Sequence, residues 1–418
     1  GRESRFTLAR PGFWLIFIGF NLTFFMMHLT GLLGMPRRVF TYPGHEGWMW
    51  LNVLSSIGGM VLTMGFAVIL ADLALHARFG RRARRDPWEG GTLDWAIPRP
   101  PTFYAFASLP RIETRADRID PRELGRELAA GEGYLGDTRN GWQETLGIHV
   151  TTGEADQVII FPRQSYEPLV TAATVGLTVL AMLFKLYPVA VAGFFVVSAM
   201  FVFRAQSAGL REDHGPLPIG RGEAVPPHTE AESSPPLLAL VVALVADGTI
   251  LASLIYAGFY NWLVAANWPP PELARGGLIP VTLAVAALVA ASGCARGALA
   301  ALGRGGNPVP WIGAGIFAGL AVTGIVGAIL AGLPDPRSHA HPATVFMLVG
   351  YIGLHAYVGL LFLVSNALRY RAGYLSARRR LDLRLTRVWQ DYTAVSGIVI
   401  LLVVLALPAL APLAEGRP

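Results

Sequence analysis

Long uncharged apolar runs constrain this chain more than anything else, because several exceed the ~20 residues an α-helix needs to cross a bilayer. Inside hydrocarbon every backbone N–H and C=O must be satisfied within the segment, so such runs fold as helices. Nine spans can be placed, at roughly 11–34, 50–76, 167–186, 188–204, 236–264, 278–301, 311–332, 343–369 and 388–412. The expected fold is an all-α polytopic membrane protein with about nine transmembrane helices. Composition agrees: 53% of the residues are hydrophobic and 15% charged, against about 25% charged in soluble globular chains. The single cysteine, Cys294, excludes a disulfide framework and a thiolate cluster for zinc or iron–sulfur.

Charge gives an orientation. Lys and Arg number 34 against 28 Asp and Glu, but the arginines cluster in loops beside apolar spans. That pattern marks a membrane face and not a nucleic-acid surface. The segment 76–85, Arg204 with Arg211, the loop carrying Arg296 and Arg304, and the segment 369–387 fall on one side when spans are counted. The positive-inside rule makes that side the cytoplasm. The loops 265–277 and 333–342 and the terminus after 412 then fall outside. The chain opens on Gly1 with polar residues, a long apolar run and no small-residue cleavage site. It therefore reads as starting inside a larger or split polypeptide and not on a signal peptide.

The first span leaves the membrane at GMPRR. Pro36, which has no N–H and a fixed φ, is expected to stop it. Arg37 and Arg38 follow on the outer side, where the other loops are poor in cations. Paired guanidiniums at an apolar edge suit the carboxylates of an anionic ligand. The plainer alternative is snorkelling to lipid headgroups, and the cation-poor face favours the local anion. Thr23, Phe24 and Met27 recur at helical spacing on one face, as a ligand-packing surface or as ordinary helix contact. Asp247 lies near the start of an otherwise apolar span. It is either a functional intramembrane carboxylate or an interfacial N-cap. Gly58-Gly59 and Gly313, Gly315 and Gly319 are expected to let helices approach closely. Residues 92–110 read as a Pro-rich extended segment, 121–130 as a short helix, and 205–235 as a flexible linker. His339 and His341, in a Pro-rich outer loop, read as structural, and GRGGNP at 303–308 as a turn.

Two stretches resemble known families. FNLTFF, His28, GLLGMPRR, Tyr42-Pro43 and Trp50-Leu51-Asn52 together resemble subunit I of the heme–copper oxidases. The likeness is to its last two transmembrane helices and the loop between them, over about residues 10–110. ADGTILASLIYAGFYNWL at 246–263, Asn267-Trp268-Pro269-Pro270, GYIGLHAYVGLLFL at 350–363 with His355, and YLSARRRLDLRLTRVWQ at 374–390 resemble cytochrome c oxidase subunit III. The resemblance implies a fused I+III polypeptide. Residues 1–110 would be the two C-terminal helices and tail of subunit I, 111–165 a cytoplasmic connection, and 166–418 a seven-helix subunit III-like domain.

Oxygen would then be reduced to water with electrons from cytochrome c, coupled to proton pumping. The resemblance implies that Arg37 and Arg38 contact the propionates of two hemes, and that Phe24, Thr23 and Met27 line the low-spin heme. The family position matching Met27 is often polar. Asp247 would support lipid binding or proton uptake. At 389–393 the chain reads WQDYT where the family has a Trp-His pair and then an acidic residue, which weakens any role carried over to Trp389 or Asp391. The family's metal-ligand histidine motifs do not occur among these histidines. Copper ligands would thus lie outside the chain, and the chain alone is not expected to be active. Expected partners are oxidase subunit II, the upstream metal-binding helices of subunit I, cytochrome c and phospholipid, with no nucleic acid. The expected location is the bacterial plasma membrane, with the C-terminus outside. A quinol oxidase of the same superfamily and a non-catalytic membrane scaffold are the alternatives. A transporter is disfavoured by the lack of inverted repeats or paired broken helices.

Overall fold

The computed structural model describes residues 2–406, apart from 4, 85, 89, 91, 116, 117, 207, 265–267 and 269–277. In chain order the first elements are β1 (Arg2–Glu3), α1 (Ala9–Leu32), α2 (Met49–Phe79), β2 (Arg81–Arg82) and α3 (Pro121–Ala129). Next come β3 (Glu144–Ile148), β4 (Ala155–Ile160), α4 (Glu167–Leu183), α5 (Tyr187–Gln206), β5 (Leu217–Gly220) and β6 (Glu223–Val225). The last are α6 (Pro235–Val264), α7 (Leu278–Gly303), α8 (Val309–Ala331), α9 (Ala340–Arg371) and α10 (Leu381–Leu401). Among the described residues eight helices are long and apolar enough to cross a bilayer, and α4, with 17 residues, is a shorter apolar helix. At about 1.5 Å per residue α4 spans roughly 25 Å, just under the ~30 Å hydrocarbon core. The chain is an all-α, multi-pass membrane protein, and its strands among the described residues form three two-stranded pairs. It divides into two compact units, Gly1–Gly133 and Tyr134–Pro418.

In the first unit α1 and α2 run antiparallel and pack backbone to backbone. A Cβ at Gly19 would stand 2.4 Å from the backbone N of Leu62, and one at Gly58 would stand 2.6 Å from that of Thr23. Close contact of this kind holds helices together where lipid offers no hydrophobic drive. Gly59 faces open space, so only one of the expected pair serves the seam. Arg2 and Glu3 pair with Arg82 and Arg81, which brings the start of α1 and the end of α2 together. Helix α1 stops before Pro36 is reached. Gly34, at φ 86, donates to the Gly31 carbonyl at 2.9 Å, and the next N–H, of Met35, donates to Thr30 at 3.2 Å. A left-handed glycine cap therefore ends the helix, and Pro36 lies beyond it. The expected short helix at 121–130 is α3, started by Asp120, whose carboxylate accepts from the Arg122 N–H at 2.8 Å.

In the second unit α6 to α10 enclose an apolar core that includes Leu288, Val322, Val326, Leu348, Ile352 and Ile400. Gly319 would push a Cβ to 2.7 Å from Leu360 and Gly315 to 3.3 Å from Leu363, whereas Gly313 meets nothing. The α4–α5 reversal is tight, but it turns at Lys185 (φ 61), just before the expected 186–188. Lys185 and Leu186 donate to Met182 and Ala181 at 3.0 and 2.8 Å. Pro188 then sits in the first turn of α5, where a missing N–H is no loss. Helix α10 starts at Leu381, earlier than the expected 388, and runs into a π turn at Leu402–Ala406. Leu381, Leu383 and Thr386 are buried, so this arginine-rich stretch carries an inward face that its charge concealed. Residues beyond 406, and with them the expected outer terminus, lie outside the described set.

Residues 205–235 are folded and do not form a flexible linker. Leu217 and Ile219 point inward while Pro218 and Gly220 are exposed. The Val158 N–H donates to the Pro226 carbonyl at 2.9 Å, and the His228 N–H donates to Val158 at 2.8 Å. Main-chain bonds, to which composition is blind, supply this order. The chain leaving α5 is also clamped by buried arginines. Arg369 binds Asp382 at 2.7 Å and the carbonyls of Ala205 and Ala208. Arg379 binds Asp213 at 2.6 Å and the Leu210 carbonyl at 2.7 Å.

Candidate functional site

The loop between α1 and α2 is anchored by Tyr42 and Asn52, which the sequence singled out, and by Trp48, which it did not. Trp48 Nε1 donates to the Leu33 carbonyl at 3.1 Å. Asn52 Nδ2 donates to the Tyr42 hydroxyl at 2.9 Å and to the Trp48 carbonyl at 3.0 Å. The Tyr42 and Trp48 rings meet edge-on at 5.7 Å. Arg37 and Arg38 sit exposed on this loop. Neither has a hydrogen bond or ion pair among the described residues. Arg38 holds φ 65, a conformation that costs a side-chain-bearing residue on the order of 1–3 kcal/mol. Two adjacent, unpaired guanidiniums on an anchored and strained loop form a ready receptor for carboxylates.

The three α1 residues do not share one exposed face. Thr23 is 8% exposed, its hydroxyl donates to Gly19 at 2.7 Å, and its carbonyl accepts from Ser55 at 3.0 Å. It belongs to the α1–α2 seam. Phe24 and Met27 are 41% and 51% exposed. Phe24 lies 4.6 Å from Phe20, and Phe13 and Phe17 stack at 6.0 Å further along the helix. A flat apolar ligand would meet Phe24 and Met27, with Thr23 behind them. Sequence reasoning missed Asp72, which is buried in α2 with its Oδ1 3.3 Å from His76 Nε2. The signal was present, since an acidic residue inside an apolar span is unfavourable unless it has a task.

A second polar cluster forms around Asp247. Helix α6 begins at Pro235, so Asp247 lies about three turns in and is no N-cap. Its Oδ2 accepts from the hydroxyls of Tyr351 and Tyr392, the latter at 2.7 Å, and faces His355 Nε2 at 3.1 Å. The two hydroxyls are 2.8 Å apart. His355 Nδ1 lies 2.9 Å from the Tyr351 carbonyl. A carbonyl only accepts, so Nδ1 carries a proton. Nε2 faces the same carboxyl oxygen that the two hydroxyls reach. Trp389 stacks on His355 at 5.2 Å and 9°, and its Nε1 donates to the His355 carbonyl at 2.9 Å. His355 is thus more than a packed core histidine with one bond. Tyr351 and Tyr392 were missed, although both are polar residues inside apolar spans.

His339 caps α9, its Nδ1 accepting from the His341 N–H at 3.0 Å. The His341 ring packs on Trp268 at 5.1 Å. Asn267, Pro269 and Pro270 lie outside the described residues.

Fold and site define a multi-pass helical membrane protein with an anchored pair of arginines, unpaired among the described residues, and a half-buried carboxylate cluster. Residues 1–61 match the family model described as Cytochrome C and Quinol oxidase polypeptide I. Cytochrome c oxidase subunit 1 of Bacillus sp. (strain PS3) is 35% identical over 224 residues, covering 51% of this chain and 32% of that protein. Cytochrome c oxidase subunit 1 of Alkalihalophilus pseudofirmus is 40% identical over 130 residues, 31% of this chain and 20% of the relative. Quinol oxidase subunit 1 of Bacillus subtilis is 34% identical over 131 residues, again 31% and 20%. These likenesses are all to heme–copper oxidase subunit 1, and they cover at most about half of this chain. The chain spans a third or less of the length of these relatives.

Proposed function

We propose that this chain is part of a respiratory terminal oxidase that reduces oxygen to water with electrons from cytochrome c and couples the reaction to proton pumping. The observation that carries this reading is the unpaired Arg37–Arg38 pair on its anchored loop, in the region akin to oxidase polypeptide I. The residues fit heme: two hemes would bring propionates to guanidiniums that have no other anion, and Phe24 and Met27 would cover a porphyrin face. Bound heme supplies the one-electron chemistry. Arg37 and Arg38 would hold its carboxylates, and Phe24 and Met27 would shield one face of the ring. Copper would be held by residues outside this chain. Two histidines here already have other bonds, His28 with the Phe24 carbonyl and His355 with Asp247, and His76 lies 3.3 Å from Asp72.

The order of helices in the second unit supports a subunit III-like domain over 166–418, joined through 111–165 to a subunit I tail over 1–110. Its Asp247 cluster suits a supporting role in lipid binding or proton uptake. Oxidase subunit II, the upstream helices of subunit I, cytochrome c and phospholipid are the partners this reading requires. The basic loops would face the cytoplasm of a bacterial cell, with the C-terminus outside.

The test is R37Q/R38Q in the intact complex. Fixed cations beside a heme favour its reduced state, so removing them should lower a heme midpoint potential. At an effective dielectric of ~20 the change is about 1–2 kcal/mol. A redox titration and heme spectrum identical to those of the unaltered complex would overturn the assignment. The second reading, a quinol oxidase, is favoured by the match to a quinol oxidase subunit 1 over a similar length. Turnover of the purified complex with reduced cytochrome c or with a quinol separates the two.

A further inference from the structure

Asp391, which the family pattern left without a role, stands between two arginines inside the second unit. Arg296, on α7, grips it in bidentate fashion, with Nε 3.0 Å from Oδ1 and a terminal nitrogen 2.8 Å from Oδ2. Arg387, one turn earlier on α10, places its Nε 3.4 Å from Oδ2. The Ser292 hydroxyl donates to Oδ1 at 2.5 Å. Both carboxylate oxygens are thereby engaged. The guanidiniums are not: Arg296 uses its Nε and one terminal nitrogen, and Arg387 only its Nε. Their remaining N–H donors have no acceptor among the described residues. The cluster carries one positive charge more than its single anion offsets.

The position of this cluster decides what can complete it. The arginine side chains are 56% and 45% exposed. Each lies about 10 Å along its helix from the end next to the 304–308 and 372–380 turns. Towards the opposite end the exposed surface is apolar. Val289 on α7, and Val395 and Val399 on α10, face outward, and Gly293 leaves open space between Val289 and Arg296. A cationic head position therefore continues into an apolar strip on the surface of a membrane protein. A soluble anion would use the first part and not the second.

We propose that Arg296 and Arg387, oriented by Asp391, bind the phosphate of an anionic phospholipid whose acyl chain lies along α7 and α10 past Gly293, Val395 and Val399. Asp391 is a positioning residue, which holds the two guanidinium planes and leaves their outer N–H groups to the phosphodiester. The proposal rests on the membrane-spanning helices and not on the oxidase reading.

The test is native mass spectrometry of the intact complex, released from membranes and titrated with phosphatidylglycerol and, separately, phosphatidylcholine. R296Q/R387Q should lose one tightly held phosphatidylglycerol, with affinity down about tenfold or more, while phosphatidylcholine retention and the complex's own spectra stay as they were. D391N keeps both cations but loosens the hold on their planes, so it should weaken phosphatidylglycerol severalfold and leave phosphatidylcholine unchanged; retention equal to that of the unaltered chain would refute the positioning role. Unchanged phosphatidylglycerol retention in R296Q/R387Q would overturn the proposal, as would equal loss of both lipids. Displacement of the lipid by millimolar inorganic phosphate would also overturn it, since the site would then serve a soluble anion. Should the double variant fail to assemble, R387Q alone carries the test. It leaves the bidentate pair intact and should weaken phosphatidylglycerol severalfold.

Discussion

At the scale of the residue, Asp247 shows how much hangs on one oxygen. Two hydroxyls and an imidazole converge on Oδ2, so its removal strands three donors. Asp247→Ala should destabilise the complex by about 2–4 kcal/mol, because unsatisfied buried donors lose their full desolvation. Asp247→Asn keeps an acceptor at the same place and should cost about 1 kcal/mol. Thermal unfolding of the assembled complex, followed by helical circular dichroism, reads the difference. Equal losses would mean that the donors find water, and that the cluster does not act as a unit. This cluster was half legible in the sequence. An acid within an apolar run is conspicuous, and so is a histidine. Their pairing was not, because residues more than a hundred positions apart meet only once α6 and α9 pack. The arginine pair was conspicuous in the sequence as a doubled cation at the end of an apolar span, and the structure leaves it exposed on its loop. Thr23 was misplaced because spacing gives the helical face but not which neighbour covers it.

At the scale of the element, polarity misled where backbone geometry rules. The nine apolar helices were readable from hydropathy because hydrocarbon leaves the chain few choices. The folded stretch at 205–235 was not, because its order comes from main-chain bonds and from two arginines remote in sequence. Those arginines make a prediction. Arg379 gathers Asp213 and the carbonyls of Leu210, Gly373 and Tyr374. Arg379→Met leaves these acceptors buried and should cost about 2–3 kcal/mol, given that Asp213 is partly exposed and screened. The bonds to Ser376 and then to Arg379 hold the Asp213 carboxyl below its usual range. A lowered carboxylate contributes stability above its unfolded pKa of about 4, and that contribution is lost as pH falls through the folded value. The clamp should therefore be intact at neutral pH and release only in acid. Protease cutting within 208–215 reads this release directly. Cutting in Arg379→Met at neutral pH should match the unaltered chain in acid, and resistance in both would refute the clamp.

At the scale of the whole molecule, the order of the helices and the placement of charge together make a prediction about sidedness. If each apolar helix crosses the membrane in turn, the turns at 33–48, 184–186 and 332–339 would share one side, and those at 80–166, 207–234, 304–308 and 372–380 the other. Arg2 pairing with Arg82 is consistent, since two crossings return the chain to the side it left. The second group holds Arg81, Arg82, Arg304, Arg378, Arg379 and Arg380, and the first holds chiefly Arg37, Arg38, Lys185 and Arg337. Positive residues resist translocation, so the second group should be cytoplasmic. The single native cysteine, Cys294, lets this be tested cleanly. In a C294A background, A372C should react with a membrane-impermeant maleimide only in inverted vesicles. P334C should react only in right-side-out cells whose outer envelope has been opened. The reverse pattern would invert the molecule. The paired arginines would then lie on the cytoplasmic side among other cations, and their need for a local anion, the observation on which the heme assignment leans, would lose its force.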